Sequence, residues 1–306
     1  MPCPAAANRS GSGAPGTGVS HAPGAPQSGR CALACPGAGE ALPAGAYPGT
    51  PRRDGGNLPR TARKAASHMM MLSRWLRWAL LGLSPFAAYS LATGWLRELA
   101  PWTASLFLGI WSLSVLTSAV AHRQDFWGFA ALTWTVTWVL EVVGVRTGFP
   151  FGSYRYTGVL QPELAGVPVV IPLAWLGLLL VGIVWTTYRR AAMAPLEHAL
   201  RLGLWLVGVD VLLEPMASHI AGYWRWTSGT VPVQNYLTWG VVALLLTLLY
   251  RRWLGERLPA EPQALWVLGG LLVGLCALVD LVHGYVLETF VGMGLIGLAA
   301  FWRQKA

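Results

Sequence analysis

From Trp75 onward, long apolar runs alternate with short breaks rich in charge, Pro or Gly. A run of about 20 apolar residues matches the hydrocarbon thickness of a bilayer. Eight runs qualify: Trp75 to Leu96, Thr103 to Ala121, Phe126 to Val145, Val169 to Tyr188, Leu196 to Ile220, Gln234 to Leu254, Ala264 to Val282 and Tyr285 to Trp302. Only His283-Gly284 separates the last two, so a seven-span count also fits. The pattern predicts an all-α, polytopic transmembrane helix bundle. Ahead of it, Met1 to His68 is Pro, Gly, Ala and Ser-rich without hydrophobic periodicity. Such a segment cannot bury a core and is expected to be disordered. It has no continuous apolar h-region, so it is not a signal peptide. Met69, Met70 and Met71 stand just before the first run, and translation is expected to begin there. That makes 69–306 the working domain; a basic regulatory arm is the alternative.

Two breaks in the apolar pattern share one plan. Glu141 to Trp175 starts with a carboxylate near the end of a run, passes through a Gly, Pro and Tyr-rich loop, and re-enters a run at Trp175. Asp210 to Trp239 repeats this with Asp210 and Glu214 as its carboxylates. Tyr154-Arg155-Tyr156 in the first matches Trp224-Arg225-Trp226 in the second. A Val-Pro pair (Val167-Pro168, Val231-Pro232) precedes Trp175 and Trp239 by the same spacing.

Composition agrees with a membrane chain: 54% of residues are apolar, 11% are charged and 17 are Trp. Soluble domains carry about 25% charged residues. The net charge of +9 could point to nucleic acid, but the Lys and Arg residues sit at the ends of apolar runs, where membrane topology places them. Nucleic-acid binding is therefore not expected. Arg74 and Arg77, Arg123, Arg189, Arg190 and Arg201, Arg251, Arg252 and Arg257, and Arg303 with Lys305 mark alternate ends. Those ends are expected to be cytoplasmic, with both termini inside a bacterial cell membrane and both motif loops on the outer face. The alternation holds along the whole chain only with eight spans. Cys3, Cys31, Cys35 and Cys276 form no CxxC pair and have no His cluster beside them, so no metal is expected.

Ionisable groups inside spans are costly and point to function. The acids here are Glu141, Asp210, Glu214, Asp280 and Glu288, all in the expected outer half of the membrane. Asp210 and Glu214 are four apart, hence on one helix face. An interhelical hydrogen bond or Arg pair explains any one of them, and best explains Asp280 and Glu288 near a helix end. Glu141, Asp210 and Glu214 are the candidates for chemistry. A carboxyl group among apolar side chains favours its neutral form and can act as a general acid at neutral pH. Around these acids the loops supply Tyr154, Tyr156, Trp224 and Trp226. An interfacial aromatic belt explains scattered Trp residues, but explains less well two matched aromatic-Arg-aromatic triplets. Aromatic faces stabilise cations by about 0.5 to 2 kcal/mol each. Acids, aromatic rings and an apolar cavity suit protonation of an alkene and containment of the resulting carbocation. No GxGxxG, P-loop, HExxH or Ser-His-Asp arrangement is present, and the histidines are scattered singly. Asp210-x-x-x-Glu214 is only half of the paired Asp-rich motifs that hold Mg²⁺ and a diphosphate.

The two stretches resemble the CruF-type carotenoid hydratases, a family of membrane carotenoid biosynthesis proteins. The residues that carry the likeness are Glu141-Val-Val-Gly144, Thr147-Gly148, Pro150-Phe151-Gly152 with Tyr154-Arg155-Tyr156, and Gly166-Val167-Pro168 with Trp175. Asp210, Glu214-Pro215, Gly222 to Trp226, and Val231-Pro232 with Asn235-Tyr236 and Trp239 complete it. The likeness covers roughly Leu80 to Trp302; the tail before Met69 falls outside it. It implies cofactor-free addition of water to the terminal C1–C2 double bond of an acyclic carotenoid end group. Lycopene, monocyclic carotenes and C50 precursors are the implied substrates, dissolved in the bilayer. The likeness leaves room for association with other carotenoid enzymes.

In this chemistry Asp210 or Glu214 is the expected acid, and Glu141 orients or deprotonates water. Tyr154, Tyr156, Trp224 and Trp226, with Trp175 and Trp239, line the end-group pocket. Asn235 hydrogen-bonds water or the new hydroxyl, Arg155 or Arg225 fixes which carboxylate stays charged, and Asp280 supports. A carotene end-group cyclase shares the first protonation, but the PxEE-type motif of small membrane cyclases is missing. A proton-coupled carrier also uses a repeat with membrane acids, but the inner halves of the spans are almost bare of polar residues.

Overall fold

The computed structural model describes residues 60–95, 100–120, 123, 125–187 and 193–304. The tail expected over residues 1–68 lies outside the described residues up to 59. Residues 60–68 are helical, so the first helix begins before the expected boundary at Met69.

Eight α-helices are described: α1 Arg60–Thr93, α2 Ala100–Val120, α3 Asp125–Thr147, α4 Val170–Thr186, α5 Pro195–Glu214, α6 Val233–Leu254, α7 Pro262–Val282 and α8 Val286–Gln304. Each falls on one of the expected apolar runs. Four of them, α2 from Trp102 on, α3, α6 and α7, are long and apolar enough to cross a membrane, making this an integral membrane protein. Three of the other four depart from that pattern for identifiable reasons. The α4 helix has only 17 residues and is apolar on every side. It packs against α2, α3, α5, α7 and α8, so protein covers it all round. The α5 helix carries Glu197, His198, Arg201, Asp210 and Glu214, which lower its hydropathy. Pro85 interrupts the interior of α1, whose first turns are polar and basic. The long helices expose large apolar side chains, including Leu106, Leu113, Val139, Leu237 and Leu245. Apolar residues on outer faces are the expected match to lipid.

Close helix contact in a bilayer relies on small residues, because lipid tails are as apolar as leucine. At Gly177 of α4, an added Cβ would lie 2.6 Å from the Trp111 ring of α2. Trp111 in turn donates its indole N–H to the Leu268 carbonyl of α7 at 2.8 Å. One tryptophan thus ties three helices.

The connections sort to opposite ends of the bundle. At one end Arg123 and Arg257 both reach Asp125, at 3.0 and 2.9 Å. Arg251 reaches the Met193 carbonyl at 2.7 Å, and Arg77 reaches Glu261 at 2.7 Å. The α2–α3, α4–α5 and α6–α7 connections therefore meet where the basic residues gather. The loops after α3 and α5 lie at the far ends of those helices. There short strands of two or three residues stand within an otherwise all-α protein, as expected. In the first loop, β1 (Tyr154–Tyr156) is followed by β2 (Glu163–Leu164) and β3 (Val167–Pro168), which pair with each other. In the second loop, β4 (Trp224–Trp226) pairs antiparallel with β1.

Candidate active site

The β1–β4 ribbon joins the two matched triplets directly: Tyr154 opposes Trp226, Arg155 opposes Arg225, and Tyr156 opposes Trp224. Backbone bonds extend it at both ends, from Thr227 to Ser153 at 2.9 Å and from Thr157 to Tyr223 at 3.2 Å. Side chains alternate across a strand, so all four rings turn to one face of the ribbon and both arginines to the other. Tyr154 and Trp226 are buried; Arg155 and Arg225 are exposed.

The ring face covers the carboxylates, and each triplet serves its own acid. Glu141, near the end of α3, accepts bonds from the Tyr154 hydroxyl at 2.5 Å and the Tyr156 hydroxyl at 2.8 Å, both on Oε2. Its Oε1 accepts from the Trp175 indole at 3.0 Å. Glu214, at the end of α5, accepts on Oε2 from the Trp226 indole at 3.0 Å and the Trp224 indole at 3.3 Å. Asn235 at the start of α6 bridges the two acids of α5. Its Nδ2 donates to Asp210 Oδ2 at 2.7 Å and stands 3.4 Å from Glu214 Oε1. Glu141, Asp210, Glu214 and Asn235 are all buried. Burial, together with the facing Glu141 carboxylate, holds both phenols far above the ordinary tyrosine range. They remain hydrogen-bond donors across the physiological pH range.

Local sequence explains the placement. Pro215 directly follows Glu214 and lacks an N–H, so the regular i→i−4 ladder cannot continue through it. The chain instead widens into a π-helical turn, Pro215–Ile220, with Ala221 N bonded to Met216 O five residues back. Such turns recur at functional sites. Gly152, with φ +111°, lets the loop pass against Pro232, where an added Cβ would lie 2.7 Å from Cγ. Gly144 leaves the space in which Phe151 and the Tyr154 hydroxyl come down on α3. The Pro150 carbonyl accepts from Gln234 and Thr238 of α6, both at 2.7 Å, locking the first loop onto the start of α6. Trp175 and Trp239, matched in spacing after their Val-Pro pairs, stack with centroids 3.9 Å apart.

A cavity of about 60 Å³ lies within this shell. Glu141, Glu214, Asn235, Tyr154, Tyr156, Trp224, Trp226, Trp175 and Trp239 line it, as do Phe151, Ile171 and Ala174. Asp210 stands behind Asn235. All three acids proposed for chemistry and all seven residues proposed to bind substrate therefore converge.

Three residues expected to support the site stand apart from the carboxylate cluster. Arg155 and Arg225 do not reach the carboxylates, because strand alternation turns them outward; phenol, indole and amide donors occupy that role. Asp280 does not join the group either. It is buried on α7 with its carboxyl toward the Met216 backbone of the π-helical turn. Sequence reading missed Phe151, Ile171 and Ala174 as lining residues. The repeat held a signal for one of them: Ile171 stands three residues after Pro168, as Asn235 stands three after Pro232.

Comparison with known proteins places this arrangement. The model of the family described as "Carotenoid biosynthesis protein" matches residues 102–299, well over half of the chain. A bisanhydrobacterioruberin hydratase from Haloarcula japonica is 36% identical over 117 residues, which cover 35% of this chain. The aligned stretch spans 39% of that relative's length. No solved structure matches the chain. The matched range contains both motif loops, the three acids and the tryptophan stack, and the chain belongs to the carotenoid biosynthesis protein family its motifs resemble.

Proposed function

We propose that this protein is a carotenoid 1,2-hydratase. It adds water across the terminal C1–C2 double bond of an acyclic carotenoid end group and gives a tertiary 1-hydroxy carotenoid. The observation that carries this reading is the convergence of Glu141, Glu214 and the Asp210–Asn235 bridge on one small cavity walled by aromatic rings. The relative's name supports water addition as the reaction class.

In this mechanism the Asp210–Glu214 pair holds one proton. Two carboxyl groups bridged by a single amide donor avoid carrying two charges side by side. The proton passes to C2, whose new C–H bond takes the π electrons, and the positive charge falls on the tertiary C1. The faces of Tyr154, Tyr156, Trp224 and Trp226 stabilise it. Water forms the C1–O bond and yields its proton to Glu141, which three donors hold ready to accept it. Return of that proton to the Asp210–Glu214 pair restores the site. Water is the sole co-reactant, and the balance needs no oxidant or reductant. The substrate is dissolved in the bilayer, and the motif loops lie on the outer face.

Expression in lycopene-producing cells tests the reading. A product heavier by one water, hydroxylated at the end group, is expected. An unchanged mass with a new ring would mark a cyclase instead. No hydroxylated product from lycopene, a monocyclic carotene or a C50 precursor would end the hydratase reading. Glu141→Gln, Asp210→Asn and Glu214→Gln should each lower product by at least about a hundredfold, the usual share of a general acid or base.

A further inference from the structure

A second, far larger cavity shares a wall with the acid site. It measures about 580 Å³, within the range of about 300–1,000 Å³ typical of ligand pockets. Ile171, Ala174 and Trp224 line both spaces. From that wall the large cavity runs between α1, α2, α4 and the π-helical turn, past side chains such as Leu83, Phe107 and Leu178. Phe86 of α1 and Leu106 of α2 are exposed members of its lining, and Ser90, Thr93 and Thr103 on the same helices, with His219 and His283, add polar groups to it. Three facts constrain an occupant. Most of the lining is apolar, exposed apolar side chains of α1 and α2 form part of it, and the wall at Trp224 is shared with the acid site. Trp224 is also a donor to Glu214, so whatever touches its ring lies one side chain from an acid.

We propose that this cavity binds the chain of a long, rigid polyene and presents its end group to the acid site past Ile171, Ala174 and Trp224. The assignment rests on the hydratase reading for its choice of end-group chemistry. A rigid conjugated chain suits the space, because it has few rotamers to lose on binding. A phospholipid acyl chain is the competing occupant and differs in having a polar headgroup that cannot follow it inside.

The full chain, purified in lipid-free detergent micelles, is titrated with all-trans lycopene, and tryptophan fluorescence reads binding. Ala87→Trp and Ala104→Trp place an indole in the cavity from α1 and α2, away from the acids. Each should weaken quenching and end-group hydration together, by at least about tenfold, since overfilled apolar space rejects further volume. Glu214→Gln should keep quenching and lose hydration. An independent measurement guards against misfolding. Ala104→Cys, with Cys3, Cys31, Cys35 and Cys276 replaced, is reacted with N-ethylmaleimide. Lycopene should slow the reaction, and added phosphatidylcholine should not. Equal protection by phosphatidylcholine would overturn the assignment and make this a lipid site. Hydration and quenching unchanged in both Trp variants, with no protection of the cysteine, would overturn it while leaving the hydratase standing. Protection without any hydroxylated product from the parent chain would sink the hydratase and leave the polyene site.

Discussion

Glu141 accepts the shortest bond of the site's carboxylates, with two phenols and an indole on its two oxygens. A hydrogen bond to a charged group contributes about 1.5–3 kcal/mol. Tyr154→Phe, which removes the 2.5 Å bond, should therefore slow hydration about ten- to a hundredfold, with each factor of ten being about 1.4 kcal/mol. Product formed per milligram of inserted protein measures it; an unchanged rate would separate Glu141 from the chemistry. The phenols also make a pH prediction. Both are pushed far above the ordinary value by burial and by Glu141. A raised folded-state value means their stabilisation is fully present below the unfolded tyrosine value of about 10 and is lost as pH climbs above it. Phenolate absorbance at pH 11 should be the same in the parent, Tyr154→Phe and Tyr156→Phe, because neither phenol has ionised there. A smaller signal in either variant would show that its tyrosine titrates normally.

The β1–β4 ribbon converts two similar loops into one lid. It has a built-in cost, because Arg155 and Arg225 stand directly opposite each other, and like charges across a pair destabilise it. Arg225→Glu should add about 0.2–1 kcal/mol to stability and leave hydration intact, since neither arginine faces the cavity. A thermal melt together with the product assay checks both halves. Loss of activity with retained folding would return the arginines to the site. Gly152→Ala should do the reverse. The new methyl meets Pro232 at 2.7 Å and the backbone sits at φ +111°, so a loss of about 1–3 kcal/mol is expected with activity falling alongside.

The bundle places basic connections at one end and the acid site at the other. That polarity matches the positive-inside pattern and makes the membrane orientation testable. In a chain freed of its four native cysteines, Arg225→Cys should react with an impermeant maleimide added to intact cells. Arg252→Cys, at the far end of α6 and exposed, should react only after lysis. The opposite pattern would invert the topology.

The sequence alone located eight helical runs, because apolar length is a local property that needs no partner to be seen. It also singled out the acids, the rings, Asn235 and both tryptophans, because polar residues in apolar runs and a repeated spacing stand out along the chain. It could not determine which groups pair. That Tyr154 faces Trp226, that each triplet bonds its own acid, and that the arginines turn away depend on strand register between segments about 70 residues apart. A shift of one residue would have exchanged rings for arginines. Nor could it show that α4 is enclosed by other helices, since an apolar helix looks the same whether lipid or protein surrounds it. The large cavity belongs only to the packed structure, being the space between helices that no single segment encodes.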